Sequence, residues 1–173
     1  MVNIRTRRAL LRRARESDLE AFFSIMSDDE TMRYWSTPPH RSIETTRAWL
    51  RSMLDADPAA SDEFVIEYEG AVVGKVGAYR LPEIGFILRR DLWGKGIMTE
   101  ATAALIEHVF RTRDVTELVA DVDPRNVGSL RVLARLGFVE YGRAERTYCI
   151  DGTWTDSVYL RRRRDADTTT PVP

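Results

Sequence analysis

The spacing of hydrophobic and polar positions predicts alternating helices and strands along most of the chain. Apolar residues recur at helical intervals over 17–27, 43–54, 99–110 and 126–136, which indicates four helices. Runs rich in Val, Ile, Tyr and Phe predict strands, and these runs lie within 5–15 and at 64–68, 71–79, 84–88, 118–122, 138–148 and 154–160. This order of segments predicts an α/β domain.

Turn and capping residues mark where several of these segments begin and end. Glu69-Gly70 predicts a tight hairpin between two of the strands. Ser17, with Glu20 three residues later, has the pattern of a capped helix start. Asn126 is likewise a good cap for the last helix.

Length and composition suit a single folded domain. At 173 residues the chain is too short for two ordinary domains, and its 43% hydrophobic and 31% charged residues are typical of globular proteins. We expect the domain to occupy residues 1–160. The charged, Thr- and Pro-containing segment 161–173 is expected to form a flexible tail.

Charge and cysteine usage exclude several classes of protein. The 26 basic and 27 acidic side chains nearly cancel, so we expect no nucleic-acid partner. We expect no membrane span either, because no apolar run reaches the necessary length. Cys149 is the only cysteine, so neither a disulfide nor a metal site is expected, and a cytoplasmic location follows. The basic stretch 5–15 could also be a transit peptide, but a first strand is the preferred interpretation.

The strand at 84–88 leads into Trp93-Gly94-Lys95-Gly96-Ile97-Met98 and then into a helix. Glycines let the main chain approach a ligand closely, and the free N–H groups of a first helical turn attract anions such as a pyrophosphate. The P-loop pattern fails because Gly96 follows Lys95, and the Rossmann pattern fails because Thr99 replaces its third glycine. The alternative is a plain strand-to-helix connection.

Two blocks of the sequence resemble one known family over most of the chain. Glu83-Ile84-Gly85-Phe86, followed by the segment from Trp93 to Ala101, is similar to the cofactor motif of the GNAT N-acetyltransferases. In this motif Trp93 replaces Gln or Arg and Met98 replaces Gly or Ala. Asp123-Pro124-Arg125-Asn126, Ser129 and Leu136-Gly137-Phe138 are similar to the signature of the RimJ/RimL-like branch.

The resemblance implies an α/β (α+β) domain that binds acetyl-CoA. Its mixed sheet would have six to seven strands, helices on both faces and two central parallel strands that splay apart around the pantetheine. The turn and first helical residues would hold the pyrophosphate, and Asn126 and Ser129 would line the thioester end. The implied cofactor residues are Phe86, Ile87, Leu88, Trp93, Gly94, Lys95, Gly96, Ile97, Met98, Thr99, Asn126 and Ser129.

Acetyl transfer to an amine requires removal of a proton, because the pKa of an α-amine is about 8 and that of a lysine amine about 10.4. Glu83 is the first candidate for a general base acting through water, since the family often has Glu at this position. Leu133 occupies the position where many members of the family have a Tyr that acts as the general acid and protonates the leaving thiolate. Ser129, Tyr141 or Tyr148 could donate a proton instead, or the thiolate could leave unaided, and the predicted catalytic residues are Glu83 and Ser129.

The resemblance also implies an acceptor side built by the early helical layer and the last hairpin. Its candidate residues are Asp28, Tyr34, Trp35 and Trp154. The alternative for Asp28 is a helix cap or solvated surface. His108 has core-like spacing and is expected to pack, whereas His40 follows two prolines and is expected in a solvated loop.

The predicted function is transfer of an acetyl group from acetyl-CoA to a primary amine. The acceptor would be a protein N-terminal α-amine or a small-molecule amine, and acetyl is preferred over a longer acyl group. A non-catalytic module that binds acyl-CoA as a sensor is the alternative function. The protein is expected to be a monomer or a homodimer.

Overall fold

The computed structural model of the protein describes residues 2–164. Its strands are β1 (Ile4–Arg5), β2 (Ala9–Arg12), β3 (Asp62–Tyr68), β4 (Ala71–Arg80), β5 (Glu83–Leu88), β6 (Glu117–Val122), β7 (Val139–Ile150) and β8 (Thr153–Arg163). Its helices are α1 (Leu19–Met26), α2 (Asp29–Met32), α3 (Ile43–Leu54), α4 (Ile97–Thr112) and α5 (Val127–Arg135). None of the helices described is long and apolar enough to cross a membrane.

All eight strands form one mixed sheet in the order β1-β2-β3-β4-β5-β6-β8-β7. The strand count exceeds the expected six to seven because the predicted first strand is divided by a turn. In this turn the N–H of Thr6 donates to the carbonyl of Ala9 at 2.9 Å, and β1 then pairs antiparallel with β2. Residues 161–163, which were predicted to belong to a flexible tail, instead continue β8 as far as Arg163. Residues 165–173 of that predicted segment lie outside the described residues.

Helices cover both faces of the sheet, and each face has its own hydrophobic core. On one face Phe64 of β3 and Leu105 of α4 are fully buried in the same cluster. On the other face Val65 packs with Phe22 of α1 and Leu50 of α3. Phe64 and Val65 are consecutive, so the alternation of side chains along one strand supplies both cores.

The two central strands, β5 and β6, are the only parallel pair in the described sheet. They share a single register pair, Glu83 with Val119, beside the hydrogen bond from the Val119 N–H to the Pro82 carbonyl (3.0 Å). Beyond this point β5 stays paired with β4 as far as Leu88, and β6 stays paired with β8 as far as Val122. The predicted splay of the central parallel strands is therefore confirmed.

The start of α1 differs from the predicted capping box at Ser17. The carboxylate of Asp18 accepts a hydrogen bond from the N–H of Arg15 at 2.8 Å. The same carboxylate forms a buried two-bond pair with the guanidinium of Arg12, at 2.8 and 2.9 Å. The cap prediction was wrong because the neighbouring acid has a charged partner on β2, which a local pattern does not reveal.

The two histidines occupy different environments. His108 is buried, and its ring packs edge-on against Phe64 with centroids 5.5 Å apart, so the predicted packing role is confirmed. His40 was predicted to be solvated but is only 5% exposed, and its Nδ1 lies 2.9 Å from the Thr46 hydroxyl. Burial lowers the pKa of His40, which is therefore a neutral structural residue at pH 7.

A buried carboxylate ties β3 to the end of α4. The side chain of Asp62 is 2% exposed and lies 2.7 Å from the Arg113 guanidinium, 3.2 Å from that of Arg13 and 3.6 Å from His108 Nε2. Burial acts to raise the pKa of Asp62, but the hydrogen bond and charge of Arg113 outweigh it and lower the pKa below its ordinary value of 3.8. Asp62 is thus charged in the folded protein at neutral pH.

Asp62→Asn should lower the free energy of unfolding by about 3 kcal/mol at pH 7, because Arg113 and Arg13 would lose the carboxylate that they share. The folded-state pKa is depressed, so the contribution is complete above pH 4 to 5 and disappears as the pH falls through the folded-state pKa. Urea unfolding at several pH values measures it. Asp114→Asn, at an exposed position nearby, is the control, and an equal loss in both variants would contradict the interpretation.

Candidate functional site

The glycine-rich turn between β5 and α4 has the backbone geometry of an anion site. Gly94 and Gly96 have φ angles of 73° and 78°, which glycine adopts without steric strain. Within α4, Glu100 donates its N–H to the Gly96 carbonyl at 3.1 Å, so the N–H groups of the turn before it have no intrahelical partner. These groups and the positive end of the α4 dipole favour a phosphate.

The turn opens into a cleft of about 480 Å³ between the end of β5, the first turn of α4 and the start of α5. The cleft is lined by Glu30, Thr31, Tyr34, Trp35, Phe86, Ile87, Leu88, Leu92, Trp93, Gly94, Gly96, Met98, Thr99, Arg125, Asn126, Val127, Gly128, Ser129, Arg131, Val132 and Arg135. Residues of the free edge of β5, of the glycine turn and of the cap of α5 all line this one cleft. An extended ligand with a phosphate at one end would fit this arrangement.

Ten of the twelve residues predicted at the cofactor line this cleft. The exceptions are Lys95 and Ile97. Ile97 is 1% exposed and packs in the core, so only its main chain is available to a ligand. The exposed Lys95 offers its carbonyl to Arg8 Nη1 at 2.9 Å. Met98 lines the cleft, yet it is only 6% exposed and packs in the hydrophobic core of the α4 face.

Side-chain hydrogen bonds fix two residues of the cleft wall, Trp93 and Asn126. The Trp93 indole Nε1 donates to the Leu88 carbonyl at 2.8 Å, which fixes the partly exposed ring across the end of β5. Asn126 caps α5, because its Oδ1 accepts the N–H of Ser129 at 3.1 Å. The predicted capping role of Asn126 is confirmed, and the cap places Asn126 and Ser129 together at the cleft wall.

Comparison of the sequence with models of known protein families shows the family to which this chain belongs. The model of the acetyltransferase (GNAT) domain matches residues 8–139. The chain belongs to the GNAT acetyltransferase family. Within this fold, the cleft lies where the splayed strands β5 and β6 meet the glycine turn before α4.

Two relatives that the sequence matches over part of its length are named as N-acetyltransferases. YjcK of Bacillus subtilis, named as an N-acetyltransferase, is 40% identical over 84 residues, or 49% of this chain and 46% of that protein. The ribosomal protein uS5-alanine N-acetyltransferase of Escherichia coli is 37% identical over 82 residues, 47% of this chain and 42% of that enzyme. This chain thus matches less than half the length of either relative.

Solved structures extend the likeness to the whole GNAT fold. The ribosomal L7/L12 α-N-protein acetyltransferase RimL, determined in complex with coenzyme A, superposes with a TM-score of 0.85. The match covers 96% of this chain and all of RimL, with 23% sequence identity. This likeness confirms the expected GNAT fold.

The predicted acceptor residues divide into two groups. Tyr34 and Trp35 line the GNAT cleft beside α2. Asp28 does not line it, because its Oδ1 caps α2 by accepting the Thr31 N–H at 2.7 Å, and these hydrogen bonds lower the pKa of Asp28. Trp154 is also elsewhere, in the β7–β8 hairpin, where it is exposed under the Arg146 guanidinium at 5.0 Å from the ring centroid. Neither Asp28 nor Trp154 lines the cleft, and their contact with an acceptor stays a prediction.

Glu83 lies at the base of the splay rather than in the cleft wall. Ile84 packs in the core of the α4 face, so Glu83 projects from the opposite face of the sheet. Asp121 projects from that same face, since its neighbours Ala120 and Val122 are in the α4 core. Glu83 is also the first residue of β5 and the only residue of that strand that pairs with β6. Its carboxylate thus lies where the two central strands separate.

Two tyrosines accompany these carboxylates. Burial and the interaction of its hydroxyl with Glu83 raise the pKa of Tyr79 to about 12. The Tyr148 hydroxyl donates to Asp121 Oδ2 at 3.3 Å, and burial with the Asp121 charge raises the pKa of Tyr148. Asp121 and Tyr79 were not predicted as site residues. Their alternation with apolar neighbours on central strands was the available signal.

Gly96→Ala should raise the Kd for coenzyme A about tenfold, or about 1.4 kcal/mol. Alanine is strained at a φ of 78°, and its Cβ would lie 3.4 Å from Arg8 Nη2, so the turn would shift its N–H groups. Calorimetric titration measures the effect. Gly70→Ala is the matched control, because Gly70 has a φ of 77° in a distant hairpin with nothing within 4 Å of the added Cβ. It should lose stability but keep cofactor affinity, and equal Kd values in both variants would contradict this role for Gly96.

Proposed function

We propose that this GNAT protein transfers the acetyl group of acetyl-CoA to a primary amine. The observation that carries the proposal is the single cleft that joins the unpaired edge of β5 to the anion turn. Main-chain groups of Phe86, Ile87 and Leu88 would bind the pantetheine amides, and the N–H groups of residues 94–99 would bind the pyrophosphate. When bound, acetyl-CoA would supply a reactive thioester, and Asn126 and Ser129 would line the thioester end of the cleft.

Glu83 is our candidate for the general base. An acceptor amine is protonated at neutral pH and must lose a proton before it can attack the thioester. Glu83 lies at the point where β5 and β6 separate, on the face opposite the cofactor turn. From there its carboxylate would accept the amine proton through a water molecule.

The departing thiolate needs less help from the protein. Leu133, at the position of the usual tyrosine, is fully buried and cannot donate a proton. Ser129 lines the cleft and is our candidate donor, whereas the Tyr148 hydroxyl already donates to Asp121. A thiol pKa of about 8.5 keeps this demand small.

The acceptor is a primary amine, either the α-amine of a protein N-terminus or a small-molecule amine. The named activity of the uS5-alanine relative supports the first class. Tyr34 and Trp35 would contact the acceptor, and the carboxylates of Glu83 and Asp121 would favour its positive charge before deprotonation. An enzyme using acetyl-CoA in this way fits the cytoplasm, as monomer or homodimer.

Thiol release from acetyl-CoA with a panel of N-terminal peptides and small amines tests the proposed reaction. We expect release that depends on one class of amine, with mass spectrometry showing a 42 Da gain on the acceptor, roughly the mass of an acetyl group replacing a proton. The buried Leu133 favours one other function, a non-catalytic acyl-CoA sensor. Binding of acetyl-CoA without release on any amine would support that sensor and contradict the enzyme.

Glu83→Gln should lower kcat at least about 100-fold at neutral pH, because glutamine cannot accept a proton. The Kd for acetyl-CoA should not change, since the Glu83 side chain does not line the cofactor cleft. Activity of the variant should recover partly at high pH, where more of the amine is already neutral. A pH–rate profile checks this against Glu107→Gln, at an exposed position on α4. Full activity of Glu83→Gln at all pH values would reject this base.

A further inference from the structure

Arg8 reaches from the turn between β1 and β2 to the glycine turn before α4. Its Nη1 donates to the Lys95 carbonyl at 2.9 Å, across 87 positions of sequence. Arg8 does not line the cleft, whereas Gly96, the residue that follows Lys95, does. The contact therefore acts on the turn from outside.

Glu100 holds Arg8 in this position. The Arg8 Nε donates to Glu100 Oε2 at 2.8 Å, and the Arg8 main-chain N–H donates to Oε1 at 2.7 Å. The Thr6 hydroxyl donates to the same Oε1 at 2.6 Å. Burial acts to raise the pKa of Glu100, but these bonds from Thr6 and Arg8 lower it, so the carboxylate stays charged. The guanidinium is thus fixed by two elements, the β1–β2 turn and α4.

The planarity of the peptide bond turns this contact into an orientation of the anion site. Lys95–Gly96 is a trans peptide, because the one cis peptide bond in residues 2–164 is Leu81-Pro82. In a trans peptide the C=O and the following N–H point in opposite directions. Since the Lys95 carbonyl points at Arg8 outside the cleft, the Gly96 N–H points away from Arg8. Rotation of this peptide would turn a carbonyl oxygen toward the ligand, and an oxygen repels phosphate.

We infer that Arg8, held by Glu100, is a positioning residue that keeps the Gly96 N–H directed at the cofactor pyrophosphate. This inference rests on the proposed placement of the pyrophosphate at the turn. Arg8 acts through the Lys95–Gly96 peptide and not on the reacting atoms. Its loss should weaken phosphate binding and leave the chemical step unchanged.

Binding of two acetyl donors, one with and one without the pyrophosphate, distinguishes this positioning role of Arg8 from a general contribution to folding. Acetyl-CoA has the pyrophosphate, whereas S-acetylpantetheine has the same thioester and amides without any phosphate. Arg8→Gln should raise the Kd for acetyl-CoA about tenfold and leave that for S-acetylpantetheine unchanged. The kcat at saturating acetyl-CoA should stay the same. Calorimetry measures the Kd for acetyl-CoA, and ligand-detected NMR measures the weaker binding of S-acetylpantetheine.

Matched variants complete the test. Arg7→Gln removes an exposed arginine from the same turn and should change neither Kd. Glu100→Gln weakens the hold on Arg8 and should reproduce the selective loss, which keeps the test decisive if Arg8→Gln does not fold. Equal losses for both donors, or no loss for acetyl-CoA, would overturn the inference. If the wild type itself bound both donors equally, the proposed pyrophosphate placement would fail as well, and this result is recognised before any variant is made.

Discussion

The separation of β5 from β6 after one shared residue pair is the constraint on which the rest of the site depends. A central strand in a sheet normally satisfies its main-chain polar groups on both sides, and leaving them unpaired in a buried place costs free energy. β5 remains paired with β4 but loses its other neighbour after Glu83. The indole of Trp93 satisfies the Leu88 carbonyl at the far end. The groups between them form an edge suited to an extended amide-containing ligand.

The same separation gives the two faces of the sheet different roles. On the α4 face, the glycine turn and the capped start of α5 border the cleft. On the opposite face, Glu83 and Asp121 lie with Tyr79 and Tyr148 at the base of the gap. A cofactor and an acceptor could therefore approach the same thioester from opposite sides without competing for space. The outer strand pairs, β3–β4 and β7–β8, keep the sheet intact around this opening.

Local sequence was enough to predict most elements, because their apolar periodicity agrees with the final fold. The glycine turn was also readable, since Gly94 and Gly96 have backbone angles that few other residues tolerate. Residues whose role depends on a distant partner were not readable. Arg8 meets Lys95 and Glu100 only after the sheet has formed.

The same reason explains why two of the predicted acceptor residues lie away from the cleft. The sequence around Asp28 suits either contact with a positively charged acceptor amine or the cap of a helix. In the structure, its carboxylate caps α2. Trp154 lies in the last hairpin as predicted, yet the long β7–β8 pair holds it away from the cleft. Sequence alone does not determine how far such a hairpin extends.

A crystal structure of the protein with acetyl-CoA would test the central claim most directly. The account predicts the pantetheine between β5 and β6, its amides paired with residues 86–88, the pyrophosphate against the N–H groups of residues 94–99 and the thioester beside Asn126. A cofactor bound outside the splay, or strands β5 and β6 closed into a continuous ladder beyond Glu83 and Val119, would contradict it.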